Sequence, residues 1–136
     1  MRLYIPFLIL VSVLAITSCD LFNKETGPLT GSWTWQRTTG GFIGETIDAD
    51  SVEYTQKLVI NDESEAFLYR NDELTVAYDI RFEKPEWLGH KTWIFYPRGE
   101  AAIIPFFIPE NADLGNGELI LFPSCDDCYT LYFRRK

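Results

Sequence analysis

The chain has 136 residues, 15% of them aromatic, and a formal charge of −8 from 20 acidic and 12 basic side chains. That length suits one domain. The net negative charge argues against nucleic acid, whose phosphates demand a basic patch, and against electrostatic attraction to anionic lipid headgroups.

The chain opens with Arg2, then an uncharged stretch from Leu3 to Ile16, then Thr17 and Ser18 before Cys19. Basic, apolar, small is the layout of a secretory signal. The apolar stretch holds 14 residues, short of the roughly 20 that span a bilayer. An ordinary signal peptide needs no cysteine at its end. "ITSC", from Ile16 to Cys19, resembles the lipobox of bacterial lipoproteins. The resemblance implies that residues 1–18 are removed and that Cys19 is acylated more than once, palmitate included. Several acyl chains make a firm membrane anchor. It also implies a place in the bacterial cell envelope, with the outer membrane expected. Arg2 leaves with the leader, so 118 residues of charge −9 remain. Residues 19–28, "CDLFNKETGP", are mostly polar and end in Gly-Pro. They read as a lipidated tether that reaches roughly 30 Å when extended.

From residue 29 onward the pattern is strands and turns. Eight strands are expected: Gly31–Thr39, Val52–Ile60, Ser64–Arg70, Glu73–Glu83, Lys91–Pro97, Ala101–Ile108, Gly117–Pro123 and Cys128–Arg135. The fourth alternates most cleanly. Leu74, Val76, Tyr78, Ile80 and Phe82 fall on one face, and Thr75, Ala77, Asp79, Arg81 and Glu83 on the other. Turn residues agree: Asn-Asp-Glu occurs at 61–63 and 71–73, and Asn116-Gly117 is a hairpin signal. Short connections favour antiparallel neighbours. Eight such strands close into an up-and-down barrel, which removes exposed edges. The expectation is an all-β, eight-stranded antiparallel barrel over 29–136.

The two ends of this segment carry a second resemblance. The first strand opens "LTGSWTWQ", placing Gly31-Ser32-Trp33 at its start, and the last closes "CYTLYFRRK". A Gly-x-Trp on strand one and an arginine on the final strand resemble the lipocalin-like, or calycin, barrels. The resemblance extends over the long first loop, Gly40 to Ser51. The chain after the leader looks like the small lipocalin-like lipoproteins of bacteria. In such barrels the arginine packs over the tryptophan and closes one end. Alternation sets Arg135 on the face of Leu131 and Phe133, which favours Arg135 for that role. Parity constrains less where the strand leaves the core, and Arg135 is one residue from a terminus prone to fray. Arg134 is therefore the expected partner of Trp33.

The resemblance also implies a binding role. Trp33 and Trp35 have the bulk of core residues, with Trp35 also lining a cavity. Arg37 shares their parity, so alternation aims it into the barrel mouth, where an arginine can hold a carboxylate bidentately. Gln56 and Tyr78 are its expected polar neighbours. The ligand class is a small apolar or amphipathic molecule. The alternative is an envelope interaction protein. Ten phenylalanines, seven tyrosines and four tryptophans could fill the barrel, leaving loops or the outer face to bind a protein or glycan.

Other features are weaker. Pro105 interrupts an apolar strand and removes a ladder donor, which suits a bulge or, more sharply, a portal in the wall. Trp87 and Leu88 could join an exposed patch there. Cys125 and Cys128 form one C-x-x-C. With a single histidine, His90, and no second cysteine pair, zinc is not expected. Outside the cytoplasm a structural disulfide is the expectation. No nucleophile elbow occurs, and the carboxylates at 62, 63, 72, 73, 126 and 127 fit turns. Neither catalysis nor a cofactor is expected.

Overall fold

A computed structural model describes residues 26–99 and 110–136. The leader, Cys19, most of the tether, and the expected strand Ala101–Ile108 with Pro105 lie outside the described residues. The fold is a closed antiparallel barrel of eight strands, and no α-helix occurs among the described residues.

Nine strands occur in chain order: β1 Gly31–Gly40, β2 Glu45–Asp48, β3 Gln56–Ile60, β4 Glu65–Arg70, β5 Glu73–Glu83, β6 Thr92–Pro97, β7 Glu110–Gly115, β8 Glu118–Pro123 and β9 Tyr129–Arg135. Each of β3 to β8 pairs with the next, and β1 closes the ring by pairing with both β3 and β9. β2 is an addition. Residues 31–34 of β1 pair with β3, whereas residues 37–40 pair with β2, so the two share one edge of β1 in succession.

The turns follow the local chemistry. Asn71 and Asp72 both have positive φ (50° and 65°), as do Asn116 and Gly117 (54° and 77°). Two successive left-handed residues match the right-handed twist of the flanking strands, and Asn, Asp and Gly tolerate them best. Asn61 builds the β3–β4 turn by accepting from the backbone N–H groups of Glu63 and Glu65.

Three expectations need correction. The first loop holds β2, because its glycines make a tight Gly41–Gly44 turn rather than a floppy excursion. β3 starts at Gln56, not Val52, because Ala49–Ser51 forms a 3-10 turn and the chain has not yet rejoined the sheet. Glu110–Gly115, which carries Asn, Asp and Gly, is a strand flanked by β6 and β8.

Irregular register moves two side chains. In β5, Val76, Tyr78 and Ile80 are buried as alternation predicts. A shift between Leu68 and Tyr69 pairs Tyr69 with Leu74 and turns Leu74 out, leaving it 56% exposed. In β1, a bulge between Trp35 and Arg37 reverses parity. Trp35 opposes the buried Phe133, then Arg37 opposes Tyr132 and Thr38 opposes Leu131.

One end of the barrel is closed. Trp33 is buried, and its indole N–H donates to the Leu29 carbonyl at 2.8 Å. The guanidinium over the Trp33 ring, 4.4 Å from its centroid, belongs to Arg135. Its two nitrogens donate to the carbonyls of Thr30 (2.9 Å) and Pro28 (2.7 Å). Arg135 thus clamps the 3-10 turn Gly27–Leu29 across the barrel end. Arg134, the expected partner, lies on the outer face near Glu118 at 3.6 Å, because strict alternation persists to the last residue of β9. Gly31 has φ +138°, and a Cβ there would sit 3.0 Å from the Arg135 guanidinium. The glycine of Gly-x-Trp leaves room for the clamp.

Candidate functional site at the barrel mouth

The opposite end opens into a pocket of about 240 Å³, lined by Thr38, Ile47, Tyr54, Gln56, Arg70, Tyr129 and Leu131. Its floor is aromatic. Trp35 donates its indole N–H to Thr38 Oγ1 at 3.0 Å, and its ring stacks on Tyr54 at 5.6 Å. Arg70 lies over the Tyr54 ring, 4.4 Å from its centroid. Tyr54 is therefore shared between an indole and a guanidinium. A cation over a tyrosine face is attracted by the ring quadrupole and loses little on being held flat.

Arg70 makes no ion pair with any described residue, so its hydrogen-bonding fork is unspent. Gln56 stands directly opposite it in the β3–β4 pair. The Gln56 side chain is buried and makes no hydrogen bond with a described residue. A guanidinium, an unused amide and an aromatic wall can together hold a planar anionic group such as a carboxylate.

The structure separates the four expected ligand residues. Gln56 lines the pocket and Trp35 supports it. Arg37 does not face it, because the bulge turns it to the outer face. There it pairs with Glu118 Oε1 at 3.3 Å and stacks on Tyr132 at 4.0 Å. A more polar groove runs beside it, with Asp48, Ala49 and Asp50 in its lining. Arg70 takes the place expected of Arg37. Its sequence signal was available, since Ala66, Leu68 and Arg70 share one parity with Ala66 and Leu68 in the core.

Tyr78 sits deeper, packed edge-to-face on Phe95 with ring centroids 5.8 Å apart. Burial first, and the negative charge of Glu110 second, push its phenol well above the ordinary value. Glu110 opposes Phe95 on one side and Pro123 on the other, and shares a face with the buried Ala112. Its Oε2 is sealed from solvent and has no hydrogen-bond partner among the described residues. Burial raises its carboxyl to about 7.

Around the mouth rim, Phe42 and Ile43 at the β1–β2 turn are 90% and 81% exposed. That turn rests on the β8–β9 connection. A Cβ on Gly40 would collide with the Cys128 carbonyl oxygen, and one on Gly41 would lie 2.9 Å from the Tyr129 hydroxyl. Cys125 and Cys128 are joined in a disulfide within this connection. Trp87, in the β5–β6 loop, is exposed at the closed end, away from the mouth. Among the described residues no group of three or more His, Cys, Asp or Glu side chains gathers to hold a metal ion.

No family model, curated protein or solved structure matches this chain.

Proposed function

We propose that this is a lipid-anchored, lipocalin-like protein of the bacterial cell envelope that binds a small amphipathic molecule in the barrel mouth. The observation that carries the reading is Arg70, a guanidinium without a carboxylate partner among the described residues, stacked on Tyr54 at the rim of a pocket with an aromatic floor. An acidic group would sit on Arg70 and Gln56, with its apolar portion against Tyr54, Ile47 and Leu131. About 240 Å³ is below the ~300–1,000 Å³ of pockets that enclose drug-sized ligands. The fit is to a short chain, or to one end of a longer one. Binding, rather than catalysis, is the role. The anchor is Cys19, on the lipobox resemblance.

Hexanoate binding, followed by calorimetry, tests the site. Arg70→Ala should weaken it roughly ten- to hundredfold, the cost of a charge-assisted hydrogen bond. Arg37→Ala, on the outer face, should leave it unchanged. Equal affinities of wild type and Arg70→Ala would refute the assignment.

Labelling cells with an alkyne fatty acid tests the anchor. Cys19→Ser should abolish label incorporation, and undiminished labelling would sink the lipoprotein reading.

A second reading has its own support. The half of the barrel nearer Arg135 is solid, filled by Trp33, Phe133, Leu58 and Leu29. Phe42 and Ile43 stand almost fully in solvent at the turn tip. Those features suit an interaction protein that uses its loops to bind a protein or glycan. Failure of every short amphiphile to bind would favour it.

A further inference from the structure

The mouth pocket accounts for Arg70 and Gln56 but leaves Glu110 without a role. An acidic side chain directed at the interior of a small barrel is unusual, because burial without a partner is costly. Its direction is fixed by two ladders. Phe95 of β6 and Pro123 of β8 flank it, and Ala112, two residues on, is a core residue. Its charge also reaches Tyr78, itself a core residue on β5. Among described residues, Tyr78 is the titratable group that faces it. The flanking positions Phe95, Pro123 and Ala112 are apolar.

We propose that Glu110 is a second ligand anchor inside the barrel, one that takes the ammonium group of a small primary amine. The inference rests on the reading that the barrel admits a small molecule. Three features select this chemistry. First, Glu110 Oε2 is an acceptor with no donor among the described residues, so a donor entering there gains a full hydrogen bond. Second, the phenol oxygen of Tyr78 supplies a further acceptor nearby, with no hydrogen bond to any described residue. Third, the Tyr78 and Phe95 rings stand edge-to-face beside it, and aromatic faces attract a cation once water is excluded. A hard metal ion wants six or more oxygen ligands, and one carboxylate with one phenol falls far short. Glu110 stands on β7 and Arg70 on β4, three strands apart in a ring of eight. The two anchors thus occupy different walls and prefer opposite charges.

The proton balance gives a signature. Burial holds the free carboxyl near 7, so at pH 6 it is mostly protonated. An alkylammonium is already charged at that pH. Pairing with it requires the carboxylate, so binding must expel close to one proton from Glu110 into the buffer.

Calorimetry on the full-length chain with 1-hexylamine, 1-hexanol and hexanoate tests this. At pH 6, 1-hexylamine should bind wild type and release close to one proton, read from titrations in buffers of different ionisation enthalpy. Glu110→Gln should weaken 1-hexylamine about ten- to hundredfold, abolish proton release, and leave hexanoate unaffected. 1-Hexanol should not distinguish the two proteins. Unchanged amine affinity in Glu110→Gln, or binding by wild type without proton release, would overturn the proposal. The proton measurement uses wild type alone, so it stands whatever the variant's stability. Binding of hexanoate but not of 1-hexylamine would overturn this inference and leave the mouth site standing. Binding of neither would remove both.

Discussion

Glu110→Gln is expected to stabilise the protein by about 3 kcal/mol at pH 8 and by less than about 1 kcal/mol at pH 5. Burial raises the folded carboxyl from its ordinary 4.5 to about 7. Between those values the folded state holds a proton that the unfolded chain has released. Stability must then fall as pH rises through this window, and the loss is complete once pH exceeds 7. A displacement of about 2.5 pH units corresponds to about 3 kcal/mol. Glutamine keeps the size and polarity of the protonated acid but cannot ionise, so the variant should lack this slope. Urea unfolding of both proteins from pH 5 to pH 8 reads the difference. Glu65, whose carboxyl is lowered by hydrogen bonds from Asn61 and Arg98, is common to both proteins and cancels. A pH-independent gap between the two curves would show that Glu110 is not buried as a carboxyl facing the interior.

Arg135→Ala should lower stability by about 2 kcal/mol, and the loss should shrink by about 1 kcal/mol in a Trp33→Phe background. The cation–π contact is expected to contribute about 0.5–2 kcal/mol. The two donations to Thr30 and Pro28 add to it, and their solvent exposure keeps their share small. Trp33 also holds Leu29 through its indole N–H, so Trp33→Phe loosens the same turn from the other side. Arg134→Ala, which removes only a surface ion pair near Glu118, should change stability by no more than about 0.5 kcal/mol. The urea midpoints of the four proteins in the cycle decide the matter. Strict additivity of Arg135→Ala and Trp33→Phe would mean that the two side chains do not support each other.

The sequence made most of this barrel legible where local chemistry and long-range pairing agree. β5 alternates from Val76 to Ile80 and ends where the sequence pattern ends. The Asn71-Asp72 and Asn116-Gly117 turns carry the residues that left-handed backbone requires. β7 was hidden because its strand state comes from its neighbours. Asn111, Asp113 and Gly115 have poor β propensity, but pairing with β6 and β8 satisfies the backbone on both sides. The two register irregularities had no compositional mark. Gln36 is an ordinary strand residue, yet the extra position it occupies sends Arg37 outside and Thr38 inside. The bulge thus removes Arg37 from the mouth, whereas Arg70 follows the plain alternation of β4 and reaches it. At the closed end the reverse held. Plain alternation picked Arg135, and the expected loosening of parity at the terminus did not occur.

The clamp of Arg135 on Pro28 and Thr30 also sets where the chain enters the barrel. Entry is at the sealed end, with β1 running from there for ten residues to the rim at Gly40. At about 3.3 Å per residue and a tilt near 40°, the rim stands roughly 25 Å from the entry point. With the proposed lipid on Cys19, pull from the membrane arrives at the sealed end, and the pocket looks away from the bilayer. Cargo would then exchange with the aqueous space above the leaflet rather than by lateral passage from the lipid. The Phe42-Ile43 tip, carried on the same rim, would then also face away from that leaflet.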